Sequence, residues 1–261
     1  MTTKQIDILN IALIAIALAA SFLLPFEVFL FSYAVLGPLH YLTEITWLHQ
    51  RNYFTTDKTD FVWLTVLCAF TTLFTIFFSD YSNWAVLLIY TAFMASLTMV
   101  LFKELWKKLV FTFIAFLIGT TLLSTPPFFL LFAILLPTLI HVFIFTGLFM
   151  LSGTLKSKSI YGALSVLVFI LAAILCFTYT PQFPWYKISA YAEKNMIEIG
   201  FLSVNQAVFS VFKLGESTKD VVLNSAIGLG VMRFIAFAYT YHYLNWFSKT
   251  SVIKWHKVPR T

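Results

Sequence analysis

Residues 160–180 read IYGALSVLVFILAAILCFTYT, a stretch without a single charged side chain. An α-helix rises about 1.5 Å per residue, so this stretch is long enough to cross the roughly 30 Å hydrocarbon core of a bilayer. Seven further apolar stretches of similar length occur, which gives eight predicted spans at 6–24, 27–48, 61–78, 84–102, 109–124, 128–151, 160–180 and 221–247. The sequence therefore predicts an all-α, polytopic transmembrane helix bundle that forms a single domain over residues 1–261.

The composition agrees with a membrane protein. Hydrophobic residues make up 60% of the 261 positions and charged residues 11%, whereas a soluble domain carries about 25% charged residues. The net charge is +6, but the basic residues lie in short loops and in the C-terminal tail. Because such residues orient a chain in the membrane, we expect the bilayer as partner and no nucleic acid.

Lysine and arginine alternate between the two predicted sides. They occur in the N-terminal segment, in the loops after the second, fourth and sixth spans, and in the tail, but not in the loops after the first, third and fifth spans. Short basic loops stay in the cytoplasm. We therefore predict that both termini are cytoplasmic and that the chain lies in a bacterial inner membrane.

The segment 181–220 departs from this alternation, since it is long and carries both lysines and acidic residues on the predicted external side. Within it, Ile197, Phe201, Val204, Val208 and Phe212 recur at helical spacing. This pattern predicts one amphipathic helix at the outer interface. Two roles remain open for this helix: a lid packed on the bundle, or a gate for a substrate.

Few ionisable side chains fall inside the predicted spans, and such residues are costly in a bilayer and mark functional sites. His40 and Glu44 lie in the second span, His141 in the sixth, and Arg233 and His242 in the eighth. Helical rise places all but Arg233 roughly 6–15 Å from the predicted cytoplasmic helix ends. We predict that His40, His141 and His242 bind a metal, iron or zinc, with Glu44 and Arg233 as catalytic residues.

Such a centre would make the protein a metal-dependent membrane oxygenase or hydrolase acting on an apolar lipid or isoprenoid molecule. Three other interpretations remain open at this point: a structural network of polar side chains, a transporter or proton-coupled carrier, and a non-catalytic subunit that recognises a partner through 181–220. Pro38 and Pro137 would bend two spans that lie four spans apart, which is compatible with a repeated carrier architecture.

The motif Gly37-Pro38-Leu39-His40 followed by Glu44 resembles a signature of the Brp/Blh-type carotenoid-cleaving membrane oxygenases, Gly-x-x-His-x-x-x-Asp/Glu. The resemblance covers about ten residues, and the paired-histidine motif of that family does not occur in this sequence. It implies a multi-pass protein with an intramembrane iron held by histidines. His40 would be a ligand and Glu44 its hydrogen-bonding partner, and similar depth would make His141 and His242 further ligands.

Overall fold

The computed structural model describes residues 2–51, 60–77, 82–125, 128, 130–179 and 186–248. Every regular element in these ranges is helical. The elements in chain order are α1 (Thr3–Leu23), α2 (Pro25–Phe31), π1 (Ser32–Leu36), α3 (Gly37–Arg51), α4 (Asp60–Phe77), α5 (Ser82–Leu101), α6 (Leu105–Leu122), π2 (Leu130–Phe145), α7 (Thr146–Ser157), α8 (Ile160–Thr178), α9 (Ala190–Glu198), α10 (Phe201–Phe212), α11 (Lys219–Asn224) and α12 (Ala226–Ser248).

The all-helical prediction is confirmed for the described residues. Helices cover most of each predicted span, but Ser225, which is extended, divides the eighth span into α11 and α12. Five helices of the described chain are long and apolar enough to cross a membrane, which is typical of a membrane protein. They are Thr3–Leu23, Trp84–Leu101, Leu105–Leu122, Leu139–Ser157 and Ile160–Thr178. The total of eight spans and the cytoplasmic position of the termini remain predictions.

Pro38 and Pro137 were predicted to bend their spans, and wide helical turns occur beside the first and around the second. The π1 turns end directly before Gly37, whose amide donates to the carbonyl of Ser32, five residues earlier. The next residue, Pro38, has no amide hydrogen and cannot close an ordinary α-helical turn. The longer π2 segment contains Pro137. Wide turns of this kind are rare and occur frequently at functional sites.

Contacts between residues divide the chain into two compact units, one of residues 1–42 and 138–261 and one of residues 43–137. In the first unit, α12 is the central helix. On one side it packs Phe237 and Tyr241 against Ile14 of α1 and Phe169 of α8. On another side, α2 and α9 pack against Met232 of the same helix. Burial on several sides explains why α12 carries so many enclosed residues.

The external segment differs from its prediction. Two helices, α9 and α10, replace the single amphipathic helix, because Gly200 adopts a φ of +84° that ends regular helical geometry. The buried side chains are also different ones: Met196 and Phe209 are fully enclosed, while Ile197 and Phe212 of the predicted apolar face are about half exposed. The prediction of one continuous helix is therefore wrong, although the segment is helical and packs on the bundle.

Hydrogen bonds to Glu27 of α2 fix Tyr186 and Ser189, which lead into α9. The Glu27 carboxylate accepts a hydrogen bond of 2.6 Å from Ser189 Oγ and one of 2.8 Å from Tyr186 Oη. Burial, and then the contact with Glu27, raise the pKa of the Tyr186 phenol. Ser189 is also the N-cap of α9, so a single carboxylate sets where this helix begins.

The second unit contains α4, α5 and α6. Its core is formed by Val86, Leu87 and Tyr90 of α5 with Ala115 of α6 and Phe128. The α5 and α6 helices approach closely at Gly119, where an added Cβ would lie 2.5 Å from a methyl of Leu87 and 2.8 Å from the Tyr90 ring.

Candidate metal centre

The three histidines predicted as metal ligands lie together in the first compact unit. His40 comes from α3, His141 from π2 and His242 from α12. One ring nitrogen of each lies within 4.8 Å of the others. The ring centroids are 4.9 Å apart for His40 and His242, and 5.1 Å apart for His141 and His242. His242 therefore stands in ring contact with both of the others.

Contacts between the π1–α3 stretch and α12 position His40 against His242. The buried hydroxyls of Ser32 and Thr240 are 2.7 Å apart. Thr240 lies two residues before His242 on α12. One helical turn before His40, Gly37 lets Tyr243 approach closely, since an added Cβ would lie 3.0 Å from the Tyr243 hydroxyl. Both contacts hold the two histidine-bearing helices in register.

Thr146 is a member of the site that the sequence did not indicate. Its Oγ1 lies 2.8 Å from Nδ1 of His242. His141 and Thr146 are five residues apart, and in an ordinary α-helix they would point about 140° away from each other. The wide turns of π2, which run through His141 and end at Phe145, stack residues five apart. His141 and Thr146 can therefore both contact His242.

The hydrogen bonds of Thr146 determine which ring nitrogen of His242 carries the proton. The Thr146 hydroxyl donates its one proton to the carbonyl of Val142 at 2.7 Å, so its oxygen accepts from Nδ1–H of His242. Nε2 of His242 is then the nitrogen with a free lone pair. This atom is buried and has no hydrogen-bond partner among the described residues. A buried lone pair of this kind is what a metal ligand requires.

Aromatic rings surround the cluster on the His40 side. The centroid of the His40 ring lies 5.3 Å from Tyr243 and 5.0 Å from Trp246. The ring centroid of Tyr41 is 5.6 Å from that of His40. His40 itself is 1% exposed. This wall excludes water from one side of the three imidazoles and leaves an apolar environment in which electrostatic interactions are strong.

Of the two predicted catalytic residues, Arg233 belongs to the same compact unit as the histidines. Glu44 lies on α3, is half-buried, and belongs to the second compact unit. Arg233 is buried nine residues before His242, where its guanidinium lies 4.7 Å from the Phe22 ring and 3.5 Å from the carbonyl of Tyr179. Nine residues place Arg233 on the opposite side of α12 from His242. The structure therefore groups the histidines but gives Arg233 different neighbours.

The spacing of the three nitrogens can be compared with known metal geometry. With metal–nitrogen bonds of 2.0–2.1 Å, nitrogens in a tetrahedral site are about 3.4 Å apart. The distances between the three nitrogens are at most 4.8 Å here. To reach the tetrahedral spacing they would have to shorten by about 1.4 Å at most, a change that small rotations of the three rings can supply. Three protein ligands also leave a fourth position open, as in catalytic zinc sites.

No family model, curated protein or solved structure matches this chain. The functional argument therefore rests on the histidine cluster and its surroundings.

Proposed function

We propose that this protein is an intramembrane, metal-dependent enzyme that acts on an apolar lipid or isoprenoid substrate. The observation that carries the proposal is the convergence of His40, His141 and His242 within 4.8 Å in a membrane protein. The three residues lie far apart along the chain. Polar side chains inside a bilayer are costly and are retained at functional sites.

Iron and zinc fit the donor set. Imidazole binds both metals, and three such ligands with an open position are typical of centres that carry out chemistry. When bound, such a metal would polarise a substrate or activate water or oxygen. The Brp/Blh-type resemblance supports iron.

The chain's own residues would prepare the site. Thr146 holds the His242 ring with Nε2 unprotonated, so no proton has to leave before a metal binds. Tyr243 and Trp246 cover His40, which keeps bulk water from one side. An apolar substrate would reach such a site from the bilayer, where it is already dissolved.

Elemental analysis of protein purified in detergent tests this proposal. We expect close to one equivalent of iron or zinc in the wild type and its loss in His40→Ala, His141→Ala and His242→Ala. Asn205→Ala, which removes a buried polar side chain whose amide contacts Met232, is the control and should keep the metal. Metal-free wild-type protein that is folded and cannot be loaded with either metal would refute the proposal.

A proton-coupled carrier is the second candidate, and the wide turns beside Pro38 and around Pro137 favour it. Interrupted helices are typical of transporters. In a carrier, the histidines would exchange protons and no metal would be required. Proton flux into liposomes that disappears in His242→Ala, in protein shown to be free of metal, would support the carrier over the enzyme.

A further inference from the structure

A second candidate site surrounds Arg233 and is separate from the histidine cluster. The guanidinium lies where two helices end, since it is 4.7 Å from the ring of Phe22 and 3.5 Å from the carbonyl of Tyr179. Phe22 is the last residue but one of α1, and Tyr179 directly follows α8. Both helices are long and apolar enough to cross a membrane, so their ends mark the depth at which lipid headgroups begin.

Helix geometry directs the Arg233 side chain towards these ends. Side chains of an α-helix lean towards its N-terminus. One turn nearer the N-terminus of α12, Gly230 lies so close to the end of α8 that an added Cβ would be 3.2 Å from the carbonyl of Cys176. The guanidinium therefore lies beside the ends of the helices rather than at the centre of the bundle.

One edge of the guanidinium has no hydrogen-bond partner among the described residues. Arg233 is 4% exposed, and its buried Nε makes no hydrogen bond. Nη1 donates to the carbonyl of Tyr179, so Nε and Nη2 form the other edge. The two parallel N–H groups of such an edge bind two oxygens of a phosphate or a carboxylate. Tyr179 itself is 58% exposed, so this edge lies close to the surface of the protein.

No acidic side chain of the described chain forms an ion pair with Arg233. The helices α1, α8 and α12 contain one acidic residue, Asp7, which lies near the opposite end of α1. The carboxylate of Glu27 is bound by Ser189 and Tyr186, and residues 180–185 include no acidic residue. A buried charge without an opposite charge is costly, so an anion supplied from outside would stabilise this site.

We propose that the edge formed by Nε and Nη2 of Arg233 binds the phosphate group of a phospholipid. The ends of the spans lie at the depth of the headgroups, so a phosphate of the bilayer is already at this level. Leu23 and Leu24 at the end of α1, and Phe177 at the end of α8, are each about half exposed. These side chains would contact the acyl chains of the lipid, a gain that a free phosphate ion does not have.

Binding of tritiated dioleoylphosphatidylglycerol to the purified protein at fixed detergent concentration tests this assignment. Wild-type protein should bind the lipid saturably. Dioleoylglycerol, which has the same chains without the phosphate, should compete about tenfold more weakly or worse, because hydrogen bonds to charged groups contribute this much. Inorganic phosphate, which has the charge without the chains, should also compete about tenfold more weakly or worse.

Two substitutions of Arg233 separate charge from geometry. Arg233→Met should lower the affinity for the lipid about tenfold or more, because it removes all the donors. It should still fold, since an apolar side chain in place of a buried charge is often neutral or stabilising. Arg233→Lys keeps the charge without the two parallel donors and should restore only part of the affinity.

Lys194→Met is the matched control, because it removes one positive charge from α9, where Lys194 pairs with Glu198 at 3.8 Å. This variant should bind the lipid like the wild type. Equal competition by dioleoylglycerol would overturn the proposal, as would unchanged binding in folded Arg233→Met or an equal loss in Lys194→Met. Displacement by inorganic phosphate as effective as by unlabelled lipid would also overturn it, in favour of a site for free phosphate. None of these readouts depends on a metal.

Discussion

Replacement of Thr146 by valine tests whether the hydroxyl beside His242 prepares a metal ligand. The substitution keeps the shape of the side chain and removes the oxygen that lies 2.8 Å from Nδ1. The His242 ring would then lose the acceptor that fixes its proton on Nδ1 and its lone pair on Nε2. A buried donor without a partner costs about 1–3 kcal/mol.

Loss of a hydrogen bond that orients a histidine ligand typically lowers metal affinity about 10–100-fold, which corresponds to about 1.4–2.7 kcal/mol. The two estimates agree, so we expect the dissociation constant of Thr146→Val for its metal to rise by that factor. Competition against a chelator of known affinity, followed in detergent, measures it.

Thr146→Ser is the control, because serine keeps the oxygen and loses only the methyl group. We expect Thr146→Ser to stay within about threefold of the wild type, a difference of less than 1 kcal/mol. The reasoning would be refuted by Thr146→Val binding metal as tightly as wild type. It would also be refuted if the serine and valine variants were weakened equally.

Three other predictions concern pH and packing. Metal binding should weaken progressively on acidification, because protons compete for the imidazole nitrogens, and dialysis at a series of pH values measures this. Gly119→Val should lower the stability in detergent by about 1–3 kcal/mol, because a Cβ would clash with Leu87, while Gly153→Ala, which meets nothing within 4 Å, should not. The raised pKa of Tyr186 beside Glu27 favours the neutral phenol in the folded state, so its contribution to stability should persist below pH 10.0 and fall at higher pH. Alkaline unfolding of wild type and Tyr186→Phe measures that difference.

The sequence predicted the helices well because bilayer-length apolar stretches leave few alternatives. It also predicted which histidines meet, because the same helical rise that gives the span length gives the depth of each residue. His40, His141 and His242 are three of the few polar residues that this reasoning placed at similar levels.

The errors and omissions have a common physical cause, which is departure from α-helical geometry. The external helix was extended through Gly200, although a positive φ there interrupts it. Thr146 was not predicted as a member of the site, because α-helical spacing points it away from His141. Only the wide turns of π2 allow both residues to contact His242. Local propensities do not reveal where a helix widens. The catalytic role of Arg233 stays a prediction, and the structure adds that this residue packs against Phe22 and Tyr179.

The central position of α12 has a consequence for biosynthesis. This helix is made long after α1, yet it packs on α1 and carries the last of the three histidines. At about 5–20 residues per second, the ribosome needs on the order of 10–40 s to go from His40 to His242. During that interval the first helices must wait in the membrane with polar groups such as Ser32 lacking their final partner on α12. Insertion of α12 would then close the core of the first compact unit and complete the histidine site in one event.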